Sequence, residues 1–523
     1  MERDQGWIRA CRPEIQAPSL DDNTADVDRL IRGVERRLGG EAVRVDLSLM
    51  RRVPRILRDH RYRVEAVAAR EGGAWRLLDL LPREEGRALL GAAVDVGTST
   101  VVVRLVDLEA GRALEEAGFV NPQGEFGEDI LTRIHFASRD GGLETLRRVL
   151  LDRLNAEIAR MAEVHGFTPN QVYGASMAGN TTMTHFLLGL NPFWICREPY
   201  IPAVNRPGLL RAFEVGLGIR EQAPVLVFPN VGSYFGGDLI AGILASGMDR
   251  SESTAILVDV GTNAEVALGN REWLMACAGA AGPALEGGVA QMGMMAAPGV
   301  IDRVTWKPDS GRLEVHTIGG RPPVGICGSG LIDLVSRLFL AGMVDMRGKF
   351  VPDACGPRLR DEEGVPTFEV VPAPESGTGR PLTLSQPDVD ALMRSKAAMY
   401  TILTTVTAMV GLSMQDLDRF FVAGTFGSYI DPKSAVTLGM IPDLPLERYV
   451  SLGNTSLEGA TRALLETEAL ERIERIRDRI TYIELNVNQE FMNLFSAARF
   501  IPHTDRSLFP SVAAWESARG FGE

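Results

Sequence analysis

The sequence predicts an α/β fold made of two duplicated lobes, and three observations predict it. The first is a repeated segment: residues 93–100 read Ala-Val-Asp-Val-Gly-Thr-Ser-Thr, and residues 257–264 read Leu-Val-Asp-Val-Gly-Thr-Asn-Ala. The second is that each copy joins two apolar runs, Val101-Val102-Val103 following one and Val266-Ala267-Leu268 the other, which describes a hairpin with a tight tip. The third is size. A chain of 523 residues with 45% hydrophobic content holds roughly three domains of about 150 residues and fills their cores without disulfides.

In chain order, residues 1–22 carry no periodic pattern and read as a lead-in loop. A helix is expected from about Thr24, with Val27, Leu30, Ile31, Val34 and Leu38 at helical spacing before Gly39-Gly40 stops it. Residues 42–90 mix a short helix at 53–57 with strands at 62–69 and 74–81, a small α+β module. The main body then opens with strands at 92–96, 100–107 and 113–119 and helices at 128–137 and 143–165. A strand at 171–176 runs into Ala178-Gly179-Asn180-Thr181-Thr182, a glycine-containing turn that feeds a helix through Leu188. Three strands, a helix, a strand and a helix make half of a ribonuclease-H-like layer.

The second half repeats this order: strands at 255–260, 264–267 and 271–275, then a Gly-rich helix or loop at 279–288. Residues 304–316 look like an inserted hairpin, and residues 351–384, rich in Pro, Gly and charge, suggest a mobile insertion. A long apolar helix is expected at 386–410 and a strand at 416–423 leading into Ala423-Gly424-Thr425-Phe426-Gly427. The tail from 457 reads as mainly helical with a strand at 480–485. The expected divisions are residues 1–40 for lead-in and linker helix, 41–90 for the small domain, 91–250 for the first lobe and 251–523 for the second.

The hairpin tips carry a specific chemistry. Gly97 and Gly261 lack a Cβ, so backbone amides can approach phosphate oxygens, and Thr98, Ser99, Thr100, Thr262 and Asn263 supply polar groups at the same tips. Asp95 and Asp259 are expected to face each other across a nucleotide cleft and to hold Mg²⁺ mostly through waters. Asp, Gly and Thr also close ordinary hairpins. It is the pair of copies, one domain apart, that favours the nucleotide. No Gly-Lys-Ser or Gly-Lys-Thr follows either copy and no G-x-G-x-x-G opens a helix after a strand, which sets aside the P-loop and Rossmann readings.

Other candidates follow. Gly424, Thr425, Phe426 and Gly427 come after an apolar strand and are expected to lie against adenosine. Asp238, in Phe235-Gly236-Gly237-Asp238, either caps its helix, or positions the water that attacks the γ-phosphate or binds the metal sphere. Gly328, Ser329 and Gly330 precede an apolar helix whose free amides favour an anion, and Glu286 is a candidate ribose or metal contact. Lys396, alone on an apolar helix, either reaches the nucleotide or snorkels to solvent, the second being preferred.

Composition excludes other classes. A net charge of −13 argues against a nucleic-acid surface, and Arg-rich residues 51–63 read as a solvated face or a contact to an acidic partner. No apolar run reaches the roughly 18 residues of a membrane span and the start lacks the order of a signal peptide, so a cytoplasmic protein without membrane contact is expected. The five cysteines, Cys11, Cys196, Cys277, Cys327 and Cys355, show no C-x-x-C, so no zinc or iron–sulfur site forms locally. Buried free thiols are the expectation for Cys277 and Cys327.

The order Asp-x-Gly-Thr, Gly-Gly-Asp, Asp-x-Gly-Thr, Gly-Pro-x-Leu-Glu-Gly, Gly-Ile-Cys-Gly-Ser-Gly-Leu-Ile-Asp and Ala-Gly-Thr-Phe-Gly resembles the acetate and sugar kinase, heat-shock chaperone and actin superfamily. More narrowly, it is similar to the reductive activators of corrinoid proteins. Residues 259–265, 325–333 and 453–459 are the most specific matches, and the resemblance runs over about residues 20–500. It implies an actin-like ATPase using ATP and Mg²⁺, a corrinoid protein of a methyltransferase system as partner, cobalt(II) returned to cobalt(I), and a homodimer. Members of that family carry iron–sulfur ligands. This chain shows none beyond Cys11, which stands where the last ligand of such a domain would end, so no cluster is expected here. Electrons would then come from a separate ferredoxin or flavodoxin. Lobe closure on ATP would be the lever that distinguishes partner states. The alternatives are a small-molecule kinase with Asp238 as general base, a non-catalytic nucleotide sensor, and a 2-hydroxyacyl-CoA dehydratase activator, which would need Cys277 and Cys327 exposed at a two-fold axis.

Overall fold

A computed structural model describes residues 6–83, 88–260, 263–280, 290–307, 312–424, 430–484 and 489–517. The chain divides into two compact units: Met1–Ala245 with Ser456–Asp478, and Ser246–Thr455 with Arg479–Glu523.

The first unit begins with a four-stranded sheet of β1 (Ile8–Cys11), β2 (Val43–Val45), β3 (Val64–Glu71) and β4 (Ala74–Pro82), in the order β1-β3-β4-β2. Helices Asp26–Arg37 and Val53–Asp59 cover it, and Leu30, Val34, Val53 and Leu57 are fully buried in their shared core. The β1 segment corrects the expected lead-in loop. Its strand character comes from antiparallel pairing with β3, Ile8 opposite Ala69, a partner about sixty residues away that leaves no local pattern. The Trp7 indole Nε1 donates to the Ala463 carbonyl at 2.6 Å, which ties this module to the returning segment 456–478.

The larger sheet of this unit contains β5 (Leu90–Val96), β6 (Thr100–Asp107), β7 (Arg112–Val120), β8 (Val172–Gly179), β9 (Gly208–Arg211) and β10 (Pro224–Val227), ordered β7-β6-β5-β8-β10-β9. Helix Gly142–Val164 lays Leu146, Leu150, Leu154, Ile158 and Met161 in the same core as Val94, Val96, Val101 and Val103. Those residues recur every three or four positions, as a helix facing a sheet requires.

In the second unit, β11 (Ala255–Val260), β12 (Asn263–Gly269) and β13 (Leu274–Ala280) form the meander. Next come β14 (Val300–Lys307), β15 (Arg312–Thr317) and β16 (Gly325–Ile326), then β17 (Leu359–Glu362), β18 (Val365–Val371) and β19 (Leu382–Ser385), and lastly β20 (Arg419–Ala423), β21 (Tyr449–Gly453) and β22 (Ile480–Glu484). The main sheet runs β21-β20-β11-β12-β13-β22. The inserted hairpin is β14–β15, extended by a parallel pairing of β14 with β16. The segment expected to be a mobile insertion is instead a three-stranded sheet, β17-β18-β19, with Phe368 and Leu384 fully buried in the unit's core. Most of its Pro and Gly residues sit outside the strands, Pro366 within β18 being an exception, and the composition they give conceals three short strands. Helix Gln386–Met409 starts with a capping box between Ser385 and Asp388 and is buried on nearly every face.

The duplication is visible in pairing and direction. In the first unit β5 pairs antiparallel with β6 and parallel with β8, β6 pairs antiparallel with β7, and β8 pairs parallel with β10. In the second, β11 pairs antiparallel with β12 and parallel with β20, β12 antiparallel with β13, and β20 parallel with β21. Each unit adds one strand at an edge, β9 beyond β10 in one and β22 beyond β13 in the other.

Candidate functional site

The two repeated aspartates occupy the same register. Asp95 on β5 stands beside Ala178 of the parallel strand β8, and Asp259 on β11 stands beside Ala423 of β20. In both cases a glycine follows, Gly179 or Gly424, and in both cases it crowds the central strand. A Cβ on Gly179 would lie 2.8 Å from the Val96 carbonyl oxygen, and one on Gly424 would lie 2.8 Å from Asp259 Oδ1. Gly424 also has φ of +80°, which a residue with a Cβ adopts only under strain. The turn at 178–180 is therefore the first unit's counterpart of the loop expected to hold adenosine. The signal was in the sequence: Ala-Gly after the first parallel strand of each repeat.

In the first unit the hairpin tip, the start of helix Thr181–Leu188 and the Gly236–Asp238 segment come together. Gly97 leaves no room for a side chain, since a Cβ would lie 2.3 Å from the Thr100 carbonyl oxygen. Asn180 caps helix Thr181–Leu188 by accepting from the Met183 amide and donates from Nδ2 to Thr98 Oγ1 at 3.0 Å. A Cβ on Gly236 would meet Asn180 Cα at 2.5 Å and Asp238 Oδ1 at 2.6 Å, so two residues flanking the candidate pocket depend on that glycine. Asp238 lies inside the first turn of helix Gly237–Ser246, not at its N-cap, and its Oδ1 accepts from the Leu239 amide at 2.9 Å. A carboxylate there complements the helix dipole. Ser99 is exposed, while Asp95, Gly97, Thr98 and Thr100 are half-buried.

Residues that carried no assigned role complete this tip. Asn121 Nδ2 donates to the Gly97 carbonyl at 2.9 Å and the Asn121 amide donates to that of Ser99 at 2.8 Å. Arg133, 1% exposed, donates from Nη1 to the Thr98 carbonyl at 2.7 Å. Ser456, on the segment that returns from the far end of the sequence, donates from Oγ to Asp95 Oδ1 at 2.8 Å. No local pattern marks Asn121 or Arg133, because each reaches the tip from a separate element, and Ser456 falls in the 453–459 motif, whose place at this tip only the fold reveals.

In the second unit Asp259 is directly opposite Glu265 on β12, so two half-buried carboxylates share one face. Gly328, Ser329 and Gly330 open helix Gly328–Leu340 and are buried. The Cys327 thiol and Ser329 hydroxyl lie 3.2 Å apart, and a Cβ on Gly330 would meet the Ile301 carbonyl oxygen at 2.3 Å. Asp333, in the same motif, accepts from the Val304 amide at 2.6 Å, from Ser434 Oγ at 2.6 Å and from Arg337 Nε at 3.2 Å. Burial pushes its carboxyl above the ordinary value, against the pull of Arg337, Ser434 and the Val304 amide. Gly261, Thr262, Glu286, Thr425, Phe426 and Gly427, and the side chain of Asn263, lie outside the described residues.

Lys396 corrects the snorkelling expectation. Its side chain is fully buried and Nζ donates to the carbonyls of Phe500 and, at 2.8 Å, Pro502. Desolvation holds its pKa well below the ordinary lysine value. Cys277 and Cys327 are buried free thiols, and burial pushes Cys277 up to about 12 and Cys11 to about 11. Among the described residues, no group of three His, Cys, Asp or Glu is placed to hold a metal ion, and no helix is long and apolar enough to cross a membrane.

Three family models match the chain in succession: the RACo linker region over residues 7–86, the RACo middle region over 90–251, and the C-terminal domain of RACo, the ASKHA domain, over 253–513. The corrinoid activation enzyme RamQ of Eubacterium limosum is 31% identical over 431 residues, covering 80% of this chain and 72% of RamQ. The chain belongs to the RACo family. Other RACo-like proteins agree. The [Co(II) methylated amine-specific corrinoid protein] reductase of Methanosarcina barkeri is 25% identical over 448 residues, 78% of this chain and 76% of its own. A solved structure titled reductive activator for corrinoid, iron-sulfur protein superposes with a TM-score of 0.88 at 37% identity, covering 98% of this chain and 81% of that one. The RACo-family fold, with its actin-like ATPase architecture of paired ribonuclease-H-like sheets, is the one the repeated hairpin foretold.

Proposed function

We propose that this RACo-family chain hydrolyses ATP and couples the turnover to returning cobalt(II) to cobalt(I) in the corrinoid protein of a methyltransferase system. Electrons are supplied by a separate ferredoxin or flavodoxin, and the chain acts in the cytoplasm as a homodimer. The observation that carries this reading is the matched placement of Asp95 and Asp259, each on the central strand of an equivalent sheet and each beside an Ala-Gly turn. A duplicated acidic turn of that kind suits one magnesium-bound triphosphate better than two unrelated hairpins. Within the reading, residues 1–40, 41–90, 91–250 and 251–523 form the linker, small domain and two lobes.

The donor set fits Mg²⁺. Asp95 and Asp259 are half-buried carboxylates at strand ends, and the opposition of Asp259 to Glu265 places like charges side by side, a destabilising pairing that a divalent cation relieves. The ion would neutralise charge on the phosphates. Asp95 and Asp259 would hold it, Thr98, Ser99, Thr100, Thr262 and Asn263 would contact the phosphates, and Gly424 to Gly427 would lie along the nucleoside with Glu286 near the ribose. The free amides of Gly328, Ser329 and Gly330 at the head of their helix would bind the anionic nucleotide. Asp238, whose Oδ1 lies near Gly236 and Asn180, would orient the attacking water.

Corrinoid reduction runs uphill at cellular potentials, so the activator must contact two states of its partner unequally and reset the difference with ATP. The test is Mg²⁺-dependent ATP turnover with and without a corrinoid protein. Asp95→Ala and Asp259→Ala are each expected to cut turnover by at least about a hundredfold, since several kcal/mol of charge stabilisation goes with the metal sphere. Unchanged turnover in either variant refutes the assignment. A phosphorylated metabolite as product would instead favour the small-molecule kinase reading.

A further inference from the structure

The hairpin tip of the first unit is gripped from beneath by a charge. Arg133 is 1% exposed, and its guanidinium is held by the carbonyls of Gly127 at 2.8 Å and Thr98 at 2.7 Å. Among the described residues no carboxylate lies within ion-pairing distance of it. Asp129, one turn earlier on the same helix, spends its side chain on the Thr132 amide and hydroxyl. Isolated buried charges are costly and are kept where something compensates them. Burial alone lowers the Arg133 pKa, with only a weak opposing pull from Asp129.

The peptide that receives this charge is Thr98–Ser99. Among the described residues the cis bonds are at Glu198–Pro199 and Ile501–Pro502, so this peptide is trans, and its N–H points opposite to its C=O. With the Thr98 carbonyl turned to the buried guanidinium, the Ser99 amide is turned away from it, on a residue that is exposed. Asn121 occupies the carbonyls on either side, Gly97 through its side chain and Ser99 through its amide. Every carbonyl of the tip from Gly97 to Ser99 therefore accepts from the protein, which leaves the tip amides and hydroxyls as the donors a ligand can meet. Asn180 adds to this bias: by donating to Thr98 Oγ1, it leaves the Thr98 hydroxyl hydrogen to be directed elsewhere.

We propose that Arg133 and Asn121 are positioning residues for a bound phosphate: they hold the tip carbonyls so that its amides face the anion, and the buried charge of Arg133 finds its counter-ion in the triphosphate. The inference rests on the nucleotide reading above and goes beyond it by naming residues that never touch the ligand. A charge-assisted hydrogen bond on one face of a peptide also strengthens the donor on the other.

The experiment measures binding of ATP, ADP and adenosine by competition against labelled ATP, using the full chain. Arg133→Met is expected to weaken ATP and ADP at least tenfold and adenosine less than twofold, and Arg133→Lys to weaken the phosphate ligands by about threefold. Asn121→Asp, which keeps the acceptor for the Gln123 amide but removes the donor to Gly97, should show the same phosphate-selective loss. Equal loss for all three ligands, or no loss, overturns the proposal. Should Arg133→Met fail to fold, Arg133→Lys and Asn121→Asp decide it. A wild-type chain that binds no ATP refutes the nucleotide reading itself, whatever the variants do.

Discussion

At the scale of single residues, the site is built on crowding as much as on charge. Gly424 sits at φ of +80° with Asp259 Oδ1 2.8 Å from where its Cβ would be, so Gly424→Val strains the backbone and displaces a proposed metal-sphere carboxylate together. The strain alone is about 1–2 kcal/mol. We expect the nucleotide Kd to rise about tenfold or more, read by equilibrium binding. An unaltered Kd would remove this loop from the site. Lys396 makes a second residue-scale prediction. Its folded-state pKa lies well below the ordinary 10.5, so between those values the unfolded chain binds a proton that the folded chain does not. Stability should climb as pH rises through that window, and thermal unfolding of Lys396→Met should show a flatter climb. Asp95 and Asp259 stand out in the sequence because their motif is repeated, and Asp238 because Gly-Gly-Asp heads an apolar helix. Arg133 and Asn121 do not stand out, and although the turn at 178–182 and the motif at 453–459 could be read, only the fold shows that Asn180 and Ser456 reach the tip.

At the scale of elements, Asp333 joins three of them. It takes the Val304 amide of β14, the Ser434 hydroxyl of helix Pro432–Leu438 and the guanidinium of Arg337 on its own helix. Asp431, the N-cap of helix Pro432–Leu438, also accepts from Ser434 Oγ at 2.9 Å. Removing one member of a buried charge network strands the others, so Asp333→Ala should cost the second unit about 3–5 kcal/mol in urea unfolding. A loss below about 1 kcal/mol would show that the network is not a clamp. Strands written as near-continuous apolar runs, such as β6 and β11, could be read from sequence almost to the residue. The errors had two causes: β1 pairs with β3 across about sixty residues, and the Pro and Gly content around β17 to β19 masks short, locally paired strands.

At the scale of the whole chain, the first unit is discontinuous. Helix Thr455–Leu465, all but its first residue, belongs with residues 1–245, and Leu457, Ala460, Ala463 and Leu464 are fully buried there. The packing against helix Gly237–Ser246 is close enough that a Cβ on Gly459 would lie 2.1 Å from the Ala241 carbonyl oxygen. Gly459→Val should therefore lower the melting temperature of the first unit, at a cost of about 1–3 kcal/mol for overpacking. A melting curve identical to wild type would mean the helices separate readily. The sequence marks residues 453–459 as a motif but does not say to which half they return, because helical periodicity reports a face and not its partner. The consequence reaches protein synthesis. A ribosome finishes residue 245 long before residue 478, so the first unit must wait, the parts of β5, β6 and helix Gly237–Ser246 that meet residues 456–478 uncovered, while most of its companion is translated. A chain stalled or cut before Asp478 leaves both the nascent core and the Asp95 hairpin without their last supporting helices, and quality control should meet it as an unfinished product.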